Sequence, residues 1–137
     1  MIMSDFNSSI IEEFRASGGK VSGQFEGAPL LLLTSTGAKS GATRVNPMMY
    51  LDDGKRLYVF ASKGGAPTNP DWYHNLVARP HATVEVGEDR FEVAATVLAG
   101  AERDEIFQRQ ASLYPGFAEY QAMTSRTIPV IALERVG

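Results

Sequence analysis

The sequence predicts a mainly β, α+β fold: a six-stranded antiparallel barrel with peripheral helices. Three observations carry that expectation. The chain has 137 residues, 44% of them hydrophobic, which is one domain's length and enough apolar material to close a core unaided. Short apolar runs with a period of two, or with none, recur between turn signals from Leu30 onward. The helical stretches fall at the start and late in the chain, so they do not alternate with strands as a doubly wound sheet requires. Closing the sheet also removes the exposed edges that so many short strands would otherwise leave.

The elements follow in order. Ser9, with Glu12 three residues on, has the form of a capping box, and Phe6, Ile10 and Phe14 recur at helical spacing before Gly18 and Gly19. This predicts a short amphipathic helix whose apolar stripe covers a barrel end, a dimer seam or a lipid surface, its own domain being the commonest of these. Residues 1–27 are read as this helix and a linker, and 28–137 as the barrel. Leu30 to Ser35 reads as a buried strand, punctuated by Gly37 and Gly41. Arg44 to Leu51 and Arg56 to Ser62 are the arms of a hairpin whose Asp53-Gly54 step supplies the positive φ of a tight turn. Pro47 cannot donate to a ladder, which puts its strand at an edge or a bulge.

Asn69, Pro70 and Asp71 read as N-cap, N1 and N2 of a helix running to Arg79, where Pro80 stops it. Phe91, Val93, Ala95 and Val97 alternate with polar or small residues, giving the second arm of a hairpin begun near Ala82. Ile106, Phe107, Gln110 and Leu113 define a helix that Pro115 and Gly116 break, and a shorter helix follows with Phe117 and Tyr120. Ile128 to Leu133 is the last strand.

Composition excludes several classes of function. With Cys 0 there is no thiol catalysis, zinc ribbon or iron–sulfur ligation, and a reducing compartment such as the cytoplasm fits. His74 and His81 have no metal-type spacing, so no metal site is expected. A formal charge of −3 gives no general pull on nucleic acid, so any anion site must be local. The N-terminus lacks the basic and apolar regions of a signal peptide, and no run approaches the length of a bilayer span.

Four groups could carry chemistry. Around Gly37 and Gly41, the residues Ala38, Lys39, Ser40 and Arg44 offer backbone, hydroxyl and cationic donors of the kind that hold phosphate or carboxylate. A solvated turn with ordinary surface cations explains the segment as well, and by itself better. Phe60, Ala61, Ser62 and Lys63 end a strand in small residues, against whose backbone a flat ring could lie, or else simply connect strand to helix. Trp72, Tyr73, His74 and Asn75 are consecutive on a helix and cannot all face the core. The bland reading pairs Trp72 with Leu76 as a buried stripe and leaves His74 solvated. Tyr114, Phe117 and Tyr120 form an aromatic stripe, packed by default, with two phenols able to donate to a carbonyl oxygen.

Taken together, these segments resemble the deazaflavin-dependent nitroreductase family of split-barrel proteins, found mainly in actinobacteria. The matching words are Leu31 to Gly37, Lys39-Ser40-Gly41, Arg44-Val45-Asn46-Pro47, Ala61 to Gly65, Asn69 to Asn75, Tyr114 to Tyr120 and Arg126 to Pro129, in family order from about residue 28 to the end. The resemblance implies an FMN-binding split-barrel-like fold and hydride transfer from reduced coenzyme F420 to electron-poor acceptors: enones, unsaturated lactones, quinones or nitro compounds. It implies that Lys39, Ser40 and Arg44 hold the phosphate and oligoglutamate tail. Pro47, Met48, Phe60, Ala61, Ser62 and Lys63 would line the ring and ribityl part, and Asp71 to Asn75 would close the site. Ala38, Val45, Asn46 and Met49 complete the cofactor set. Ser62, Tyr114 and Tyr120 are the candidate proton donors.

Met49 and Phe117 stand where some relatives carry tyrosines, which favours quinone-like or polycyclic acceptors over nitroaromatic ones. Ala38 stands where a basic residue is frequent. The alternatives are an FMN-dependent split-barrel reductase and a non-catalytic binder of F420 or a lipid-like ligand. A monomer or homodimer, cytoplasmic with or without peripheral contact at the inner membrane face, is compatible with the chain.

Overall fold

The computed structural model describes residues 2–21 and 27–136, with side chains from Ser8 onward. The elements are α1 (Ile2–Ser17), β1 (Leu30–Thr36), β2 (Thr43–Met49), β3 (Leu51–Asp52), β4 (Leu57–Phe60), a single 3₁₀ turn (Lys63–Gly65), α2 (Asp71–Ala78), β5 (His81–Val86), β6 (Asp89–Val97), α3 (Gly100–Leu113), α4 (Gly116–Ala122) and β7 (Val130–Arg135). All pairings are antiparallel, in the order β2-β1-β5-β6-β7-β4-β3. The two outermost strands are consecutive in sequence and separated only by Tyr50. A flat sheet cannot satisfy that connection, so the sheet curls until its edges meet. The count is seven and not six because the expected run Arg44 to Leu51 is interrupted at Tyr50, and the expected hairpin is corrected with it: Thr43–Met49 pairs with β1, and only Leu51–Asp52 pairs with β4.

Pro47 lies on the edge strand, opposite Leu32, as its missing donor requires. The turn before β4 is held by its own carboxylates: Asp52 Oδ1 accepts from Gly54 N–H at 2.8 Å, and Asp53 Oδ1 from Lys55 and Arg56 N–H at 2.9 and 2.8 Å. Gly54 has the expected positive φ, 89°.

Strands β1, β4 and β7 are apolar on both faces because each separates two packed layers. Leu31, Leu33, Val59, Ala61, Ile131 and Leu133 enter the barrel interior with Trp72 and Leu76 of α2. Their neighbours Tyr58, Phe60, Val130 and Ala132 face outward beneath Ile106, Phe107 and Phe117 of α3 and α4. Leu30 and Leu32 take Ile10 and Phe14 of α1. The stripe of α1 therefore packs on its own barrel; Phe6, the third expected member, lies outside the described side chains. Arg15 adds a two-pronged bond to Glu85 at 3.1 and 2.8 Å, and Gly19 sits so close to the β5–β6 turn that a Cβ would lie 2.7 Å from Gly87 Cα.

Three local expectations are corrected. α1 begins at Ile2, so Ser9 and Glu12 are interior and cap nothing. α2 begins at Asp71 with Pro70 as its uncapped N-cap, because the Asn69 side chain is engaged elsewhere, and it ends at Ala78 with Arg79 as its C-cap. Leu113 points into solvent at 63% exposure, since the break at Tyr114 comes before that face meets the core.

Candidate functional site

The β1–β2 hairpin turn is built around two glycines. Gly37 N–H donates to Ala42 carbonyl at 2.7 Å and Gly41 N–H to Gly37 carbonyl at 2.9 Å. Gly41 takes φ 71°, and a Cβ on Gly37 would stand 2.7 Å from Ser40 Oγ. From α2, buried Asn75 reaches beneath this turn. Its Oδ1 accepts from Ala38 N–H at 2.9 Å and its Nδ2 donates to Ser35 Oγ at 3.3 Å. One amide thus ties helix, strand and turn together and leaves Lys39, Ser40 and Arg44 exposed above it.

These residues line a cleft of about 970 Å³ with Ser8 and Ile11 of α1, Thr43, Val45 and Asn46 of β2, and Asp71 and His74 of α2. Ala38, Lys39, Ser40, Arg44, Val45, Asn46, Asp71, His74 and Asn75 are accordingly brought into one place. Among the described residues neither Lys39 nor Arg44 makes an ion pair. Two cations against the single carboxylate of Asp71 leave a local positive excess on an acidic protein.

The other expected site residues lie outside the cleft. Pro47, Met48 and Met49 continue β2 away from it, half-buried, so the strand from Arg44 to Met49 runs roughly 16 Å. Phe60 and Ala61 are buried; Phe60 packs edge-on against Phe107 and Phe117 at 6.2 and 5.5 Å. Trp72 is buried with Leu76 in the barrel interior, the bland reading of that pair, and half-buried Tyr73 packs on the same core and stands edge-on to His74 at 5.5 Å. Ser62 is half-buried and Lys63 exposed on the 3₁₀ turn.

α4 closes against that turn: a Cβ on Gly65 would meet Tyr120 carbonyl and Met123 Cβ, each at 3.0 Å. The aromatic stripe is divided. Phe117 is buried, while Tyr114 and Tyr120 are half-buried beside it. Neither phenol, nor Ser62 Oγ, has a hydrogen-bond partner among the described residues. Tyr58 is the opposite case. Its buried hydroxyl donates to Asp53 Oδ2 at 2.6 Å, a bond that, with the turn amides, holds the Asp53 carboxyl down to a pKa of about 2.

Sequence reasoning missed three contributors. Ser8 and Ile11 wall the cleft from α1, on a face that helical periodicity does not distinguish from solvent. Arg126 spreads its guanidinium over four oxygens of the 61–69 segment. Its surroundings hold carbonyls and no carboxylate, so burial pushes its pKa down from the ordinary arginine value. It stands within one of the matched sequence words, but spacing alone gives it no task.

A family model described as F420H(2)-dependent quinone reductase matches residues 9–135. An F420H(2)-dependent quinone reductase of Mycobacterium tuberculosis (strain ATCC 25618 / H37Rv) is 38% identical over 129 residues, 89% of this chain and 85% of that protein. Among solved structures, an F420-H2 dependent reductase superposes with a TM-score of 0.71 at 40% identity, over 77% of this chain and 94% of its own. Another, described as a domain-swapped dimer, gives 0.74 at 35% identity over 96% of both chains. The deazaflavin family reached from the sequence words is thereby shown, under its quinone-reductase description, and with it the split-barrel fold. No helix among the described residues is long and apolar enough to cross a membrane. The chain belongs to the F420H(2)-dependent quinone reductase family and is an oxidoreductase whose cofactor is reduced coenzyme F420.

Proposed function

We propose that the cleft between the glycine turn, α1 and α2 grips the anionic tail of the cofactor, and that its ring lies along β2 toward the 3₁₀ turn. The observation that carries this reading is the pair of exposed cations, Lys39 and Arg44, without ion-pair partners above a turn pinned by Asn75. The donor set suits the group. Cations, a hydroxyl and turn amides match phosphate and carboxylate, and the half-buried, mostly apolar edge of Pro47, Met48 and Met49 matches a flat heterocycle. When bound, the reduced deazaflavin supplies a hydride and disfavours single-electron steps.

The residues of this chain then have separable tasks. Lys39, Ser40 and Arg44 bind the tail. His74 and Asp71 edge the cleft, and Asn75 holds the turn. Ser62, Tyr114 or Tyr120 donates to the acceptor oxygen on which charge grows, and then delivers its proton. The phenol and serine hydroxyls are suited because none is consumed by the protein. Acceptors beyond quinones extend to enones and unsaturated lactones, whose oxygen gains the same charge. Nitro compounds fit less well, because Met49 and Phe117 bring no hydroxyl to the wall.

The test is a spectroscopic titration with F420 and FMN side by side, followed by menadione and an unsaturated lactone under reduced F420. Tight F420 binding, weak FMN binding and, with both acceptors, return of the visible absorbance of the oxidised deazaflavin are expected. Preference for FMN would overturn the cofactor placement, and binding of reduced F420 with no return of the oxidised absorbance on adding either acceptor would favour a non-catalytic carrier. Ile10 and Phe14 are buried on β1, so that face of α1 is not free for a lipid surface.

A further inference from the structure

The segment from Ser62 to Asn69 has no large apolar side chain to anchor it, yet it takes an unusual conformation. Lys63, Gly64 and Gly65 follow one another at φ 47°, 62° and 84°, and Lys63 is the only non-glycine residue at positive φ among the described residues. Short-range bonds, from Gly65 N–H to Ser62 carbonyl at 2.9 Å and from Ala66 N–H to Lys63 carbonyl at 3.1 Å, tighten the turn. They do not fix it to the barrel.

The fixing comes from Arg126, in the connection between α4 and β7. Nη1 donates to Ala61 carbonyl at 3.1 Å and to Asn69 Oδ1 at 2.7 Å, Nη2 to Ser62 carbonyl at 2.9 Å, and Nε to Ala66 carbonyl at 2.9 Å. A planar fork with five N–H groups can hold acceptors at both ends and the middle of one loop; an ammonium cannot. Arg126 is itself held. Gln121 Nε2 donates to its carbonyl at 2.7 Å, and Arg103 Nη2 donates to Gln121 Oε1 at 2.8 Å.

The consequence lies in the peptide planes. In a trans peptide the C=O and N–H point in opposite directions. Turning the Ala61 and Ser62 carbonyls onto Arg126 therefore turns the Ser62 and Lys63 N–H groups away from it, and neither amide has an acceptor among the described residues. We infer that Arg126 is a positioning residue: it orients the Ser62 and Lys63 amides as a donor pair for an electron-rich edge of the cofactor ring. This rests on the cofactor placement proposed above. It adds that the ring is read by backbone donors whose direction is set from 57 to 65 residues away in sequence.

The experiment compares Arg126→Lys and Arg126→Gln with the wild-type chain by F420 fluorescence titration at several salt concentrations and by amide hydrogen exchange. Both variants should weaken F420 binding by about tenfold to 100-fold. Exchange should speed up at residues 62–66 but not in β1 or β7. The salt dependence of binding, which reports the tail cations, should stay as in the wild type. Lys fails to rescue because it keeps the charge and loses the fork. Unchanged affinity and exchange in the variants would overturn the inference, as would loss of the salt dependence together with the affinity. Failure of the wild type to bind F420 would instead overturn the placement beneath it. Should the arginine variants not fold, Asn69→Ala removes one acceptor alone. It must then show a smaller loss of affinity and faster exchange in the same segment, and no change in either would overturn the proposal.

Discussion

Two groups of cations in this protein meet opposite fates. Lys39 and Arg44 stand exposed on the β1–β2 hairpin with no ion pair among the described residues. Arg126 and Arg103, half-buried between α3, α4 and β7, spend their donors on protein oxygens. The first pair contributes little to stability and is free to meet an anion. The second contributes to the shape of the molecule and has few donors left for a ligand. Residue type does not separate the two; burial and the supply of nearby carbonyls do.

The comparison breaks most visibly at the exposed pair. Lys39→Ala with Arg44→Ala should weaken F420 binding by roughly 3 kcal/mol in sum, on the order of 100-fold in Kd, with an unchanged melting temperature. Its residual binding should also lose most of its salt dependence. Calorimetry beside fluorescence titration checks both parts, and a large fall in melting temperature would show that these cations serve the fold after all.

On the buried side, Gly65→Ala should cost about 2 to 3 kcal/mol of stability. The substitution combines φ 84° with contacts of 3.0 Å to Tyr120 carbonyl and Met123 Cβ, and denaturant melts would read it. Asn75→Ala lies between the two regions. It removes both bonds beneath the exposed turn and should cost about 1 to 2 kcal/mol of stability while also loosening cofactor binding. Loss of stability with affinity intact would mean that the turn holds its shape without the amide.

The smallest effect is expected at Asp53. Its carboxyl is held below its unfolded value, to about 2, so its contribution is present above the unfolded pKa and is lost as pH falls from about 4 toward 2. Asp53→Asn should flatten stability against pH in that window and leave binding at neutral pH unchanged. Equal acid slopes in both proteins would remove Tyr58 and the turn amides as the cause.

Much of the fold was legible in the sequence because backbone constraints are local. Asp53-Gly54 marked its hairpin, Pro47 its edge strand, and the alternation through Phe91 and Val93 its half-buried strand. The cleft was legible in part, since Lys39, Ser40 and Arg44 lie on one turn, and the family words added α2. The errors share a cause. Ser9 with Glu12, and Asn69 before Pro70, have the form of caps, but a cap depends on where the helix begins and on what else claims the side chain. Asn69 went to Arg126, which is a tertiary contact.

By itself, then, the sequence determined where the helices and most of the strands lie, the edge position of Pro47, the location of the exposed cations and the family, because each is written in neighbouring residues. Only the tertiary structure divided the run expected from Arg44 to Leu51 into β2 and β3, at the two edges of a curled sheet. It alone brought Ser8 and Ile11 to the cleft wall, buried Asn75 beneath the turn, and set Arg126 behind the 62–69 segment. Those relations link residues far apart along the chain, and packing selects their partners.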